Sequence, residues 1–134
     1  MDITPAVPDS RMMIDSYGPG RFQVRGKAHT GSLIVMPGAV LEWPVSSVSD
    51  LTLESLTAIR DASPPLDILL LGTGEKMALV PSALRKEIRA AGISMDIMDT
   101  GAACRTFNVL MVEGRRAAAA LIALESDIRS DGTA

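Results

Sequence analysis

The stretch that decides the fold is Met98-Asp-Thr-Gly-Ala-Ala-Cys-Arg-Thr-Phe-Asn108, in which a Thr-Gly pair follows an apolar run with the character of a strand. A second apolar run, Ile68-Leu-Leu-Leu71, ends in the same way, in Gly72-Thr73-Gly74. Two buried strands that each end in a turn of small residues predict an α/β sheet with two loops at its carboxyl edge. Ligands of such sheets usually bind beyond that edge. The residues therefore predict a fold and a candidate surface, but they do not identify a reaction.

The composition is that of an ordinary globular domain. The chain has 134 residues, 47% hydrophobic and only 3% aromatic, so its core must be built mainly from aliphatic residues, Met and Ala. Charged residues make up 22% of the chain, and the net charge is −3. The basic residues are scattered apart from Arg85-Lys86 and Arg115-Arg116. A protein that binds the phosphate backbone normally concentrates positive charge on one surface, so we expect no nucleic-acid partner.

The cysteine content and the N-terminal residues bear on the cellular compartment. A single cysteine cannot form an intramolecular disulfide, which is typical of a reducing compartment. Residues 1–10 include two acidic residues and two prolines and resemble neither a secretory signal nor a transit peptide. No apolar run approaches the roughly 20 residues that a membrane-spanning helix needs. We therefore expect a cytoplasmic protein without a transmembrane segment.

Glycines and prolines divide the N-terminal third into short segments that suit β-strands. Residues 1–10 are expected to form a flexible tail, because their prolines disfavour regular structure. The predicted strands are Met12–Ile14, Phe22–Val24, Ser32–Met36 and Val40–Trp43. Pro37-Gly38 is a natural turn between the last two, since Pro fixes φ and Gly accepts positive φ. We predict an antiparallel arrangement, either hairpins or a meander.

From residue 52 onward, helical and strand patterns alternate. The predicted elements are a helix over Leu53–Arg60 capped by Thr52, a strand over Asp67–Leu71, a helix over Ala83–Ala91 capped by Ser82, a strand over Ile93–Met98, and a helix over Ala102–Val112 capped by Thr100. Strand, helix and strand with short links form a βαβ unit with parallel strands. Residues 117–124 are ambiguous, because four alanines favour a helix while Gly114 ends the preceding one. We predict a strand there, and a flexible tail over residues 125–134.

Several separated motifs resemble a known family. These motifs are Leu70-Leu-Gly-Thr-Gly74, the opening stretch, Glu113-Gly-Arg-Arg116, Gly31-Ser-Leu-Ile-Val35 and Trp43-Pro44. They are similar to a small domain family of uncharacterised function in bacteria, archaea and mitochondria. The mitochondrial members are assembly factors for respiratory complex I, the NADH–ubiquinone oxidoreductase. The resemblance covers about residues 11–124.

This resemblance implies both a fold and a kind of function. The implied fold is a single compact three-layer α/β domain over residues 11–124, with a mixed central sheet. It has an N-terminal antiparallel β part and a C-terminal βαβ unit followed by a helix and a final strand. The mitochondrial relatives act by binding other proteins, and the resemblance supplies no catalytic residues. It implies protein partners, which include respiratory-chain subunits or assembly proteins.

The two glycine-containing loops form the candidate site. Gly72, Thr73 and Gly74 could hold an anion, because glycines let backbone N–H groups approach it. The alternative is a tight turn after a buried strand. Thr100 and Gly101 would place free N–H groups at a helix start, within reach of Arg105 one turn later. The alternative there is helix capping and close packing against the sheet.

Cys104 and the other candidate residues can also be explained by a structural role instead of a functional one. Cys104 would lie in the first turn of its helix, where the dipole can lower a thiol pKa, but a cysteine more often packs as a small hydrophobic residue. One cysteine and one histidine, His29, cannot form a structural zinc site. We predict no metal, no cofactor and no catalytic residue. Asn108 is expected to anchor neighbouring backbone, and Trp43 is expected to lie in the core.

Two hypotheses about function follow. The first is a non-catalytic protein-binding domain similar to the complex I assembly factors. The second is a small-molecule or anion-binding protein, or a minor enzyme, that uses the crevice between Gly72–Gly74 and Thr100–Arg105. The sequence favours the first and leaves enzymatic activity open. A homo-oligomer formed through an exposed strand is a further hypothesis.

Overall fold

Eight strands and three α-helices form an α/β structure over residues 12–125, the part of the chain that the computed structural model describes. The elements are β1 (Ile14–Gly18), β2 (Arg21–Val24), β3 (Lys27–Thr30), β4 (Leu33–Met36), β5 (Ala39–Glu42), α1 (Thr57–Arg60), β6 (Ile68–Gly72), α2 (Ser82–Ala90), β7 (Met95–Met98), α3 (Thr100–Val112) and β8 (Ala117–Leu121). Two 3₁₀ turns, Val48–Asp50 and Glu54–Leu56, precede α1. The predicted tails, residues 1–10 and 125–134, lie outside the described residues except for Glu125.

The central sheet has five strands in the order β5-β4-β8-β6-β7. β4 pairs antiparallel with β5 and β8, while β6 pairs parallel with β7 and β8. The sheet is therefore mixed, and the predicted βαβ unit is confirmed as β6–α2–β7. The segment 117–124, ambiguous from propensity alone, contains a strand in the middle of the sheet.

A second sheet contains the first three strands as an antiparallel meander, β1-β2-β3. The antiparallel prediction for the N-terminal third is confirmed, but its strands divide between two sheets. The predicted strand Met12–Ile14 is displaced, because the observed β1 begins at Ile14. β3 was not predicted, although Arg25 and Gly26, at φ +50° and +80°, form the tight turn that pairs it with β2.

The two faces of the central sheet are covered by different layers, which confirms the three-layer prediction. β8 is fully buried and alternates between the layers: Ala118 and Ala120 face one apolar cluster, and Ala117, Ala119 and Leu121 face the other. The first cluster includes residues of α1 and α2 together with Trp43, and the second includes residues of α3 and of the β1–β3 sheet. Trp43 is buried in the first cluster, so its predicted core position is confirmed, and its indole N–H donates to the Ser55 carbonyl at 2.8 Å.

Asn108 attaches the small sheet to α3. Its Oδ1 accepts a hydrogen bond from the Ile14 N–H at 2.9 Å, and its Nδ2 donates to the Ile14 carbonyl at 2.8 Å. One side chain thereby satisfies both backbone groups of a residue in β1. The predicted anchoring role of Asn108 is confirmed, and its target is a strand.

The predicted starts of the first two helices were wrong. Ser82 does not cap α2 but is its first residue, and the N-cap position holds Pro81, which makes no side-chain capping hydrogen bond. The segment 53–60 is a 3₁₀ turn followed by the four residues of α1 instead of one continuous helix. Thr52 nevertheless exchanges hydrogen bonds with Ser55, each side chain accepting from the other's N–H at 3.1 Å. Thr52 therefore does form capping hydrogen bonds, but the residues that follow it form a 3₁₀ turn instead of an α-helix.

The buried alanines of β8 lead to a test of packing. Ala119→Leu would place three additional carbons in the filled apolar cluster that also contains Phe107. We expect a loss of about 1–3 kcal/mol in the free energy of unfolding. The same substitution at Ala90, which is exposed at the end of α2, is the matched control. Urea unfolding of both variants measures the difference, and an equal effect at the two positions would contradict this packing.

Candidate functional site

The buried side chain of Thr100 connects three segments at the carboxyl edge of the sheet. Its Oγ1 accepts a hydrogen bond from the Gly74 N–H at 2.9 Å and donates to the Ile122 carbonyl at 2.7 Å. Its own N–H donates to the Gly74 carbonyl at 2.8 Å. The loop after β6, the start of α3 and the end of β8 are thus held by one residue that is 0% exposed.

Gly72 lets α3 pack directly on the end of β6. A Cβ atom at Gly72 would lie 2.8 Å from the Thr100 Cα and 3.2 Å from the Ala103 Cβ, so a side chain does not fit. The Gly72 carbonyl accepts a hydrogen bond from the Ile122 N–H at 2.9 Å. The structure therefore brings the two predicted loops together, as expected, but it fills the space between them.

The backbone donors of the first loop are used within the protein. The Thr73 N–H donates to the Met98 carbonyl at 2.9 Å. The Thr73 hydroxyl lies 2.7 Å from the Lys76 carbonyl and accepts from the Ala78 N–H at 3.0 Å. With the Gly74 N–H donated to Thr100, this geometry gives no support to an anion cradle, and the ligand-binding role of these residues stays a prediction.

Asp99, and not Thr100, is the N-cap of α3. The Asp99 side chain accepts a hydrogen bond from the Ala102 N–H at 2.8 Å, and the Asp99 carbonyl accepts from the Ala103 N–H at 3.0 Å. The prediction that Thr100 caps this helix was wrong by one residue. The reason is that the Thr100 hydroxyl points into the sheet edge instead of back along its own helix.

Gly101 and Arg105 face β1, and they contact a residue that sequence reasoning missed. Arg105 Nη1 donates to the Tyr17 hydroxyl at 2.9 Å. A Cβ atom at Gly101 would lie 2.7 Å from the same oxygen, so Gly101 lets Tyr17 lie against the helix start. No local pattern in the sequence could have joined residues this far apart. Arg105 therefore binds a tyrosine of the same chain in this structure.

Cys104 is a buried thiol, only 2% exposed. Burial raises the pKa of Cys104 to about 12; the nearby Arg105 lowers it, and Asp99 raises it further. The thiol is therefore protonated at neutral pH, which agrees with the packing alternative and gives no support to a nucleophile. Within residues 12–125, no group of three or more His, Cys, Asp or Glu side chains is placed to hold a metal ion.

These features define a small three-layer α/β domain in which the start of a helix closes the carboxyl edge of a mixed sheet. The chain belongs to the family described as "Protein of unknown function (DUF498/DUF598)", whose model matches residues 14–122. The family resemblance inferred from the motifs is thereby confirmed. None of the helices formed by the described residues is long and apolar enough to cross a membrane.

Relatives of this chain occur in animals and bacteria. It is 40% identical over 110 residues to the Danio rerio protein named NADH dehydrogenase (ubiquinone) 1 alpha subcomplex assembly factor 3, a match that covers 82% of this chain and 63% of the relative. The Homo sapiens protein of the same name is 36% identical over 111 residues, which cover 83% and 60%. An uncharacterised Rhodobacter capsulatus protein is 38% identical over 109 residues, which cover 81% and 82%. The chain thus spans less than two-thirds of the length of these assembly factors.

Solved structures share the fold. A Bartonella henselae structure described as an outer membrane protein matches with a TM-score of 0.78 and 38% identity, over 87% of this chain and 98% of that one. A Bordetella parapertussis protein matches with a TM-score of 0.76 and 32% identity, over the same shares. A Bordetella pertussis protein described as a Mth938-like domain matches with a TM-score of 0.73 and 27% identity, over 98% of both chains.

The role of the Thr100 hydroxyl can be tested by Thr100→Val, which keeps the shape of the side chain. The Gly74 N–H and the Ile122 carbonyl would lose a buried partner, and we expect a loss of about 2–4 kcal/mol in the free energy of unfolding. Thr106→Val is the control, since Thr106 is half-buried on the same helix and outside this group. Urea unfolding gives both values, and similar losses would contradict the role of the hydroxyl.

The buried thiol predicts a dependence of stability on pH. The folded pKa of Cys104 is about 12 and its ordinary value is 9.0. Above pH 9 the unfolded thiol loses its proton while the folded thiol keeps it, so this contribution is complete below pH 9 and is lost as the pH rises towards 12. Denaturant unfolding at about pH 8 and about pH 10.5 should show a smaller decline for Cys104→Ala than for the wild type. Equal declines would contradict a raised pKa.

Proposed function

We propose that this protein is a non-catalytic protein-binding domain that takes part in the assembly of respiratory NADH dehydrogenase. The observation that carries the proposal is the 36–40% identity, over most of this chain, to relatives named as assembly factors of that enzyme. Its proposed partners are respiratory-chain subunits or other assembly proteins, and its proposed location is the cytoplasm. A bacterial relative without an assigned function shows that the family extends beyond animals.

The arrangement of polar groups supports binding in preference to catalysis. The Thr100 hydroxyl and the N–H groups of the first loop bond to backbone of the same chain, and Arg105 contacts Tyr17. The Cys104 thiol is buried and protonated at neutral pH. The residues that a reaction at the sheet edge would use are therefore engaged in holding the fold.

An exposed apolar loop offers a surface for a protein partner. Leu79 is 82% exposed and Met77 is 56% exposed, and both lie between β6 and α2. The loop is held in place by the bonds that the Thr73 hydroxyl makes with Lys76 and Ala78. Large apolar side chains presented on a fixed backbone contribute strongly to protein interfaces, so these two residues support the proposed role.

The test is quantitative affinity purification of the tagged chain after its expression in Rhodobacter capsulatus, the organism of a 38% identical relative, from cross-linked membranes and cytosol. We expect subunits of NADH dehydrogenase or their assembly proteins to be enriched over a tag-only control. Met77→Ser/Leu79→Ser should reduce this enrichment, because it removes the exposed apolar contact. Val109→Ser/Val112→Ser is the matched control, since these valines are 55% and 58% exposed on α3.

Two results would contradict the proposal. One is the absence of every respiratory-chain or assembly protein from the material captured by the wild-type chain. The other is equal recovery of respiratory-chain and assembly proteins by the tag-only control.

A further inference from the structure

β7 forms an open edge of the central sheet. Among the described residues no strand pairs with its outer side. On its inner side, the Leu69 N–H donates to the Ser94 carbonyl at 2.7 Å, and the Thr73 N–H donates to the Met98 carbonyl at 2.9 Å. Successive residues of a strand direct their backbone groups to alternate sides. The N–H and C=O groups of Met95 and Ile97 therefore face outward.

A groove runs between this edge and α2. It comprises two adjoining cavities of about 160 and 460 Å³, and both are lined by Arg89, Ile93 and Met95. Its floor is apolar: Ile88 and Ile93 are buried, while Met95 and Ile97 are half-buried and pack against the same cluster. A sheet edge beside an apolar groove is the arrangement that binds an extended peptide as an added strand.

The wall of the groove is positively charged. Arg85 and Arg89 are exposed, lie one turn apart on α2, and form no ion pair with the carboxylates of residues 12–125. Arg85 Nε donates to the Val80 carbonyl at 3.1 Å, which fixes the direction of its side chain. Asp96 also lines the smaller cavity, but it pairs with Leu70, whose side chain packs in the α3 layer, and paired residues of a sheet direct their side chains to the same face. The Asp96 side chain is therefore expected on the face of the sheet opposite to α2.

We propose that this groove binds an extended acidic segment of a protein partner, which adds to β7 as a further strand. Its backbone would bond to Met95 and Ile97, and its carboxylates would reach Arg85 and Arg89. Four residues of helix advance about 6 Å, close to the roughly 6.6 Å between same-side residues of a strand. Alternate acidic side chains therefore match the spacing of the two arginines. This inference rests on the proposed function, because it specifies the chemistry of the partner.

The charge of the groove favours such a partner over a second copy of this chain. Two copies paired antiparallel through β7, about a two-fold axis perpendicular to the sheet, would have both α2 helices on the same face of the joined sheet. Arg85 and Arg89 of each copy would then face the same residues of the other. Like charges across an interface are unfavourable, whereas carboxylates are attracted.

The first experiment uses a fluorescent, end-capped peptide that alternates glutamate and valine, with a lysine–valine peptide as the comparison. We expect the acidic peptide to bind, to bind more weakly at high salt, and to shift the backbone amide NMR signals of Met95 and Ile97 most. Arg85→Glu/Arg89→Glu should weaken binding at least about tenfold. The control, Lys27→Glu/Lys86→Glu, changes the net charge equally at exposed positions outside the groove and should bind as the wild type does.

Several outcomes would overturn the groove proposal: equal binding of the lysine–valine peptide, equal weakening by the control variant, or amide shifts confined to other strands. A wild-type dimer in light scattering whose Met95 and Ile97 amides are protected from hydrogen exchange would also overturn it. The affinity purification separates it from the proposed function. If the wild type captures respiratory-chain proteins and Arg85→Glu/Arg89→Glu captures them equally, only the groove proposal fails. If the wild type captures none while the acidic peptide binds at Met95 and Ile97, the groove proposal stands and the proposed function fails.

Discussion

The structure depends on one hydroxyl group that is entirely enclosed. A buried polar atom is costly unless it is hydrogen-bonded, and the Thr100 hydroxyl meets that requirement only if the Gly74 N–H and the Ile122 carbonyl are both in place. The end of β6, the start of α3 and the end of β8 must therefore come together as one unit. Gly72 completes this constraint, because any side chain there would hold α3 away from the sheet.

The same constraint determines where a partner could bind. In many α/β proteins the carboxyl edge of the sheet is open, and backbone N–H groups there receive a ligand. In this domain the backbone N–H groups of the loop after β6 bond within the chain, and Arg105 donates to the Tyr17 hydroxyl. Within the described residues, one surface that retains unpaired backbone groups, apolar area and charge is the lateral edge at β7, beside α2. The chemistry available there recognises polypeptide, which fits a family with relatives named as assembly factors.

Local patterns in the sequence predicted the secondary-structure elements better than the tertiary contacts between those elements. A continuous apolar run identified β6, and the alternation of Ile93, Met95 and Ile97 identified β7. The break at Gly114 correctly made the alanine-rich segment a strand. The loops at Gly72 and Thr100 were correctly expected to meet, since both follow parallel strands. Whether the space between them is open depends on fractions of an ångström, which residue types do not reveal. The Tyr17–Arg105 contact and the groove beside β7 depend on how separate elements pack in the folded domain. The spacing of apolar residues along the sequence does not reveal that packing.

The position of β8 has a consequence for biosynthesis. The last strand of the described residues lies in the middle of the central sheet, between β4 and β6. While the ribosome is still making the polypeptide, those two strands lack the partner that later joins them, and their edges can pair with other chains. The hairpin β4–β5 and the unit β6–α2–β7 can form early, but they become one sheet only when residues 117–121 have emerged. Until residues 117–121 have emerged, the unpaired edges of β4 and β6 therefore leave the chain most exposed to aggregation.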